Sequence, residues 1–198
     1  MNLFLRTGSL EESLRGLEFV ATQLEDVLQD SYLWKWVIIG MDNALQNFMV
    51  TALRDTAGYN ILDCNSRKAI SSRMKNFKPN TPHVEKLDNY FGLYKGIQST
   101  QMNKYAQSKF FIPSCVQDSS IICLHELRNE FIHFVPKAWS LEVTELPDMI
   151  IACMEVIDFL VHESGNLIFH GEELEQRYEI VCGNINRYVG EIRQHYNT

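Results

Sequence analysis

The stretch from Trp34 to about Thr56 carries apolar side chains at Trp34, Trp36, Val37, Ile38, Ile39, Met41, Leu45, Phe48, Met49, Val50 and Leu53. Placed on a helical wheel, at about 100° per residue, they surround nearly the whole circumference. A helix of that kind is stable only when other elements enclose it, so it belongs at the centre of a core. Asp30 or Ser31 can cap its start. One polar interruption breaks the apolar surface, formed by Asp42, Asn43, Gln46 and Asn47, two pairs spaced four apart on one side. That strip reads either as the part of the helix that reaches solvent between its neighbours, or as one wall of a cleft. A chain built around such a segment must supply several further helices whose apolar faces turn towards it.

The flanking sequence supplies them. Ser9 followed by Glu12 has the form of a capping box and opens a first helix to about Gln29, with Leu10, Leu14, Leu17, Val20, Leu24 and Val27 as its stripe. A short helix is expected over Ser66–Asn76, followed by a loop marked by Pro79 and Pro82. This basic 66–78 segment carries Arg67, Lys68, Arg73, Lys75 and Lys78, a run that suits a solvated surface or RNA phosphates. His83 to about Tyr105 reads as a third long helix, in which Gly92 and Gly96 permit a bend or a close helix contact. After an extended Ser140–Glu145, Thr144 and Pro147 open another helix, with Met149, Ile150, Cys153, Val156, Ile157 and Leu160 facing one way and Gly165 at its end. The last helix spans Glu172 to about Tyr196. The expected fold is all-α: one domain over residues 1–198, an up-down bundle of four to five long helices plus short additions.

A formal net charge of -7 argues against adhesion to nucleic acid over the whole surface, though not against a local basic groove. The five cysteines, Cys64, Cys115, Cys123, Cys153 and Cys182, form no Cys-x-x-Cys pair and are odd in number. They read as reduced, mostly buried thiols of a cytoplasmic protein, Cys115 and Cys123 among the buried ones. Met1–Arg6 is too short for a signal peptide, and no uncharged apolar run approaches the 18 or so residues of a membrane span. A soluble chain without a membrane partner is therefore expected.

The chemistry concentrates in Ile121–Trp139. Ile121, Leu124, Leu127, Phe131 and Phe134 recur at helical spacing, and Pro136 ends the pattern. Ser114 or Asp118 caps the start. On the wheel Asn129 and His133 stack away from the apolar stripe with His125 one turn earlier, and Arg128 sits at the border, where its long arm can carry the guanidinium to the polar side. His125-Glu126 begins like a zinc-protease helix, but Asn129 stands where the second histidine is required, so the match fails. There is no Cys/His cluster at metal spacing, Gly-rich phosphate loop or nucleophile elbow in the sequence. Arg128 and His133 remain. A histidine can take the proton from a ribose 2′-hydroxyl, and a guanidinium can hold a scissile phosphate and stabilise the charge that grows on it.

Arg128-Asn129, three further residues and His133, late in a helix of an all-helical chain, resembles the HEPN superfamily, whose hallmark is Arg, a polar residue, three more residues and His. The run from Arg128 through Pro136 to Ser140 is similar to an uncharacterised bacterial branch of it. The resemblance implies a homodimer that brings two such faces together in a composite cleft and cuts RNA without metal or cofactor, leaving 2′,3′-cyclic phosphate ends. His133 is then the acid/base, Arg128 the phosphate stabiliser and Asn129 the orienting group. It further implies a toxin, stress or phage-defence role, with an antitoxin or the product of a neighbouring gene as partner. Val135 stands where HEPN proteins paired with a nucleotidyltransferase antitoxin carry a modified tyrosine, so that regulatory scheme is not expected. Many HEPN domains bind RNA or a partner without cutting, and a helical scaffold in which the spacing is accidental is a third reading.

Overall fold

Enclosure of the central helix governs the architecture. The computed structural model describes residues 3–4, 7–76, 85–133 and 138–198. Seven α-helices stand among them: α1 (Ser9–Asp26), α2 (Trp34–Leu53), α3 (Cys64–Asn76), α4 (Tyr90–Ile97), α5 (Cys115–Ile132), α6 (Leu146–Asp158) and α7 (Glu172–Tyr196). The described residues contain no strand, only an isolated antiparallel bridge between Leu62 and Leu87. Val37, Ile38, Met41, Ala44, Leu45, Phe48, Met49 and Leu53 of α2 are wholly buried. They meet α1, α4, α5 and α6, while α7 closes the bundle against α1 and α6. No described helix is long and apolar enough to cross a membrane.

The senses of the helices follow from their contacts. Gly16 of α1 faces Ala44 of α2 while Phe19 and Val20 face Gly40, so the two run antiparallel. Gln117 of α5 bonds Glu155 of α6, Arg193 of α7 pairs with Asp148 of α6, and His162, just past α6, pairs with Glu179. Asp42 of α2 lies beside His125 of α5 while Trp34 and Phe131 line one groove, so α2 and α5 are antiparallel too, and α1, α2, α5, α6 and α7 alternate in direction, the up-down order expected of helices joined in sequence. Gly16 and Gly40 let α1 and α2 approach closely. A methyl group at Gly16 would lie 2.9 Å from the Ala44 Cβ and 3.2 Å from its Cα.

Several ends differ from the sequence reading. Ser9 lies inside α1, whose cap position is Gly8. Glu12 is instead engaged by the Thr7 hydroxyl. Asp30 caps a 3-10 turn, Ser31–Leu33, that runs straight into α2, its carboxylate accepting the Tyr32 N–H at 2.9 Å. The third long helix is reduced to α4: Asn89 caps it by accepting the Gly92 N–H, and Ser99 then takes the Gly96 carbonyl and starts a separate 3-10 turn, Thr100–Met102. Polar side chains that satisfy the backbone at both ends compete with continued helix here. The start expected at His83, and the prolines Pro79, Pro82 and Pro136, lie outside the described residues. Ser114 caps α5 in a full capping box with Gln117, Pro147 opens α6 and Gly165, at φ 69°, follows its π-helical extension Phe159–Glu163.

The cysteine expectation fails in part. Cys153 is buried and Cys182 half-buried, but Cys64, Cys115 and Cys123 are exposed. Only Ile121 and Leu124 of α5 are fully buried, with Leu127 and Phe131 half-buried against the core, and the thiols of Cys115 and Cys123 stay outside it.

The glycines provide a test of the α1–α2 contact. Gly183 and Gly190 on α7 have open space around them, and Ala at either should stabilise the chain by roughly 0.5–1 kcal/mol through helix propensity. Gly16→Ala gains the same propensity but drives a methyl into the Ala44 backbone, and should destabilise by about 1 kcal/mol or more. Urea denaturation of the three variants checks the opposite signs.

Candidate functional site

The polar strip of α2 divides in the fold. Asn43 faces solvent and accepts the Asn47 side-chain N–H at 2.9 Å, whereas Asp42 is only 1% exposed. A carboxylate removed from water must find cations or donors, since unpaired ionised groups in an apolar setting cost many kcal/mol. The partners come from α5, which packs antiparallel to α2. His125 Nδ1 lies 2.8 Å from Asp42 Oδ1 and Arg128 Nε 3.5 Å from Oδ2. An ionised carboxylate only accepts, so with Asp42 charged the imidazole carries its proton on Nδ1 and donates it. Burial pushes the Asp42 carboxyl above its ordinary range, and the His125 hydrogen bond, followed by the charges of His125 and Arg128, pulls it back down.

The His125 ring is fixed on its faces as well. It stacks on Tyr90 of α4 with centroids 4.2 Å apart and planes 15° from parallel, and the edge of Phe91 meets it at 5.0 Å. The Tyr90 hydroxyl is buried and has no hydrogen-bond partner among the described residues. Burial above all, and then Cys153 and Asp42, raise its pKa well above the ordinary phenol value.

Arg128 turns its Nη1 to Asn129, donating to Oδ1 at 2.9 Å. Its guanidinium is thus held from behind by Asp42 and from the side by its neighbour, with 30% of the side chain still exposed. The structure therefore brings Arg128 and Asn129 together. His133 sits one turn further on, where its N–H bonds the Asn129 carbonyl at 2.9 Å as the cap of α5. With φ -86° and ψ 76° it has left the helix, so the wheel that stacks it over Asn129 does not apply to it. Its side chain is exposed, and no described side chain hydrogen-bonds the ring. Phe134 and Val135 lie outside the described residues.

Two members of the constellation escape a sequence reading centred on α5. His125, placed by the wheel on the outward side, faces α2. Asp42 is its reason for doing so. The available signal was the single carboxylate in a helix otherwise apolar all round, which predicts a buried charge that some other helix must match. Beyond these groups, the outer side of α5 exposes Val116, at 67%, and Ile122, at 44%, together with Cys123, and Ile112 of the preceding connector is exposed as well.

Comparison of the chain with protein-family models, curated proteins and solved structures finds no match in any of the three. The reading of the site accordingly rests on its geometry.

Asp42→Ala leaves His125 and Arg128 without their buried counter-charge, and should lower stability at neutral pH by roughly 3 kcal/mol. Because the folded-state pKa of Asp42 lies above its unfolded value, protonation stabilises the fold. That contribution is complete below the unfolded pKa and is lost as pH rises through the raised one. The stability of the native chain relative to Asp42→Asn should therefore fall as pH rises across that window. Urea midpoints of both proteins through the acid range check it, and a pH-independent difference would contradict a desolvated carboxyl.

Proposed function

We propose that this chain is a HEPN-like, metal-independent endoribonuclease that works as a homodimer. The observation that carries the reading is the fixed Arg128 guanidinium, backed by buried Asp42 and flanked by Asn129, one turn before exposed His133. A cation whose position is set before substrate arrives does not need to reorganise as charge grows on a phosphate, which is the basis of electrostatic stabilisation of a transition state.

In this scheme His133 accepts the proton of a ribose 2′-hydroxyl, and the 2′-oxygen attacks the adjacent phosphorus. The bond to the 5′-oxygen of the next nucleotide breaks and that oxygen takes up the proton that His133 accepted, which returns the imidazole to its starting state. The products are a 2′,3′-cyclic phosphate and a 5′-hydroxyl. Arg128 holds the non-bridging oxygens, and Asn129 keeps the guanidinium in place. A single chain contributes one such arginine and one such histidine. A two-fold dimer built on the outer face of α5 covers Val116, Ile122 and Cys123 and apposes two sets of these groups in one cleft. The biological setting that suits it is a bacterial toxin, stress or phage-defence system with an antitoxin or neighbouring-gene partner.

The Asp42–Arg128 ion pair favours a second reading. It offsets part of the arginine charge, and a partly neutralised guanidinium suits holding RNA or a protein partner without cutting it.

RNA cleavage in EDTA decides between them. Wild-type protein should cleave, and His133→Ala and Arg128→Ala should each lose about 100-fold or more in rate. Binding without cleavage in all three proteins favours the second reading, and cleavage that survives both substitutions overturns the proposed site. A short bismaleimide should join two copies through Cys123, and Ile122→Glu should abolish that product.

A further inference from the structure

A second concavity lies further along the seam between α2 and α5. Because these helices are antiparallel, moving from Asp42 back to Trp34 on α2 accompanies moving from Arg128 on to Phe131 on α5. There a groove of about 300 Å³ opens, lined by Tyr32, Trp34, Lys35, Phe131, Trp139 and Leu141 among others. The floor is rigid. Trp34 is 1% exposed and donates its indole N–H to the Tyr196 hydroxyl at 2.9 Å. Trp139 rests against Phe131 with ring centroids 5.1 Å apart, yet keeps 42% of its surface exposed.

Three features of this groove select a ligand chemistry. Tyr32, at 63% exposure, and Trp139 both line the cavity, and exposed aromatic rings in a concavity accept a flat ring by stacking. Among the described lining residues Lys35 carries the positive charge, its ammonium 5.0 Å from the Trp36 ring and 5.7 Å from that of Tyr32. The acidic residue of the lining, Asp30, already accepts the Tyr32 N–H through its carboxylate. Planar faces with a cation on the rim are the means by which proteins hold single-stranded bases beside their phosphates. The location adds a fourth point. Lys35 precedes Asp42 by seven residues, about 10 Å along α2, and Phe131 follows Arg128 by less than one turn.

We propose that this groove binds a nucleobase of single-stranded RNA next to the phosphate held by Arg128, with Tyr32 and Trp139 as the stacking faces and Lys35 on the neighbouring phosphate. The proposal deepens the ribonuclease reading and rests on it. It assigns the substrate as unpaired RNA, because a base stacked on these rings cannot at the same time be stacked within a duplex.

The test uses the full chain carrying His133→Ala, titrated in EDTA with a ten-nucleotide single-stranded RNA, the corresponding duplex, and an abasic strand of the same length. Tryptophan fluorescence and the anisotropy of a label on the strand are the readouts. The single strand should quench tryptophan emission and bind at least tenfold more tightly than the abasic strand. Tyr32→Ala and Trp139→Ala should each weaken binding about tenfold, whereas Trp139→Phe retains most of it. Thermal melts of the variants separate lost stacking from lost folding, and Lys35→Glu, which removes no ring, gives an independent weakening. Tight RNA binding that Arg128→Ala abolishes but the ring variants leave unchanged would overturn the groove while sparing the Arg128 site. Equal affinity for duplex or abasic strand would overturn it likewise. No binding to any of the three would remove both readings, and would leave the groove to a partner of another class.

Discussion

A carboxylate inside an otherwise apolar helix is the constraint to which the rest of this structure answers. Enclosure of α2 would by itself permit many arrangements of the surrounding helices, since apolar contact is non-directional. Asp42 removes that freedom. Taking an ion out of water costs several kcal/mol even after relaxation, and the cost is offset only by well-placed partners. His125 and Arg128 are those partners, three residues apart on one helix, and together they set both the rotation and the register of α5 against α2. Sliding α5 by one turn would strand the charge. Tyr90 and Phe91 extend the same constraint to α4 by fixing the His125 ring from its faces.

The consequence for function is that structural and chemical demands meet at one side chain. Arg128 is held because the core needs a cation there, and it is partly accessible because α5 lies at the edge of the bundle. An arginine fixed through Nε and Nη1 keeps its planar fork in a defined orientation, which a free surface arginine attains only by losing side-chain entropy when it binds. The same contact weakens its net charge. The position of the guanidinium, more than the strength of its field, is what this arrangement offers a phosphate.

Most of the architecture could be read from the sequence because its causes are local. Apolar periodicity places the long helices, Pro147 opens α6, Gly165 closes its extension and Ser114 caps α5. What escaped reading depends on contacts between distant segments or on competition between near ones. The third helix shrinks because Asn89 and Ser99 satisfy backbone groups that a longer helix would have used. His125 turns inward for a carboxylate 83 positions away in the chain. Cys115 and Cys123 look like core residues by type, yet α5 buries only a narrow stripe. His133 leaves the helix one residue after its last regular turn, so the spacing that pairs it with Asn129 on paper does not fix where its ring points.

On the proposed reading an acidic chain must engage RNA against an electrostatic difficulty, and the placement of its cations bears on how that is met. Arg177 is occupied by Glu11 and Glu18, Arg15 by the same two glutamates, Arg193 by Asp148 and Arg67 by Asp88. Much of the positive charge is thus spent within the fold, and the formal net charge of -7 repels a polyanion at long range. Affinity built on counterion release requires many phosphate contacts, which this distribution does not favour. The seam between α2 and α5 offers another route: one anchored guanidinium, one lysine over aromatic rings, and exposed planar surfaces beside them. Stacking depends little on net charge and is available only where bases are unpaired. On the proposed reading, a bundle of this composition engages a short unpaired segment at one point rather than tracking along a duplex backbone.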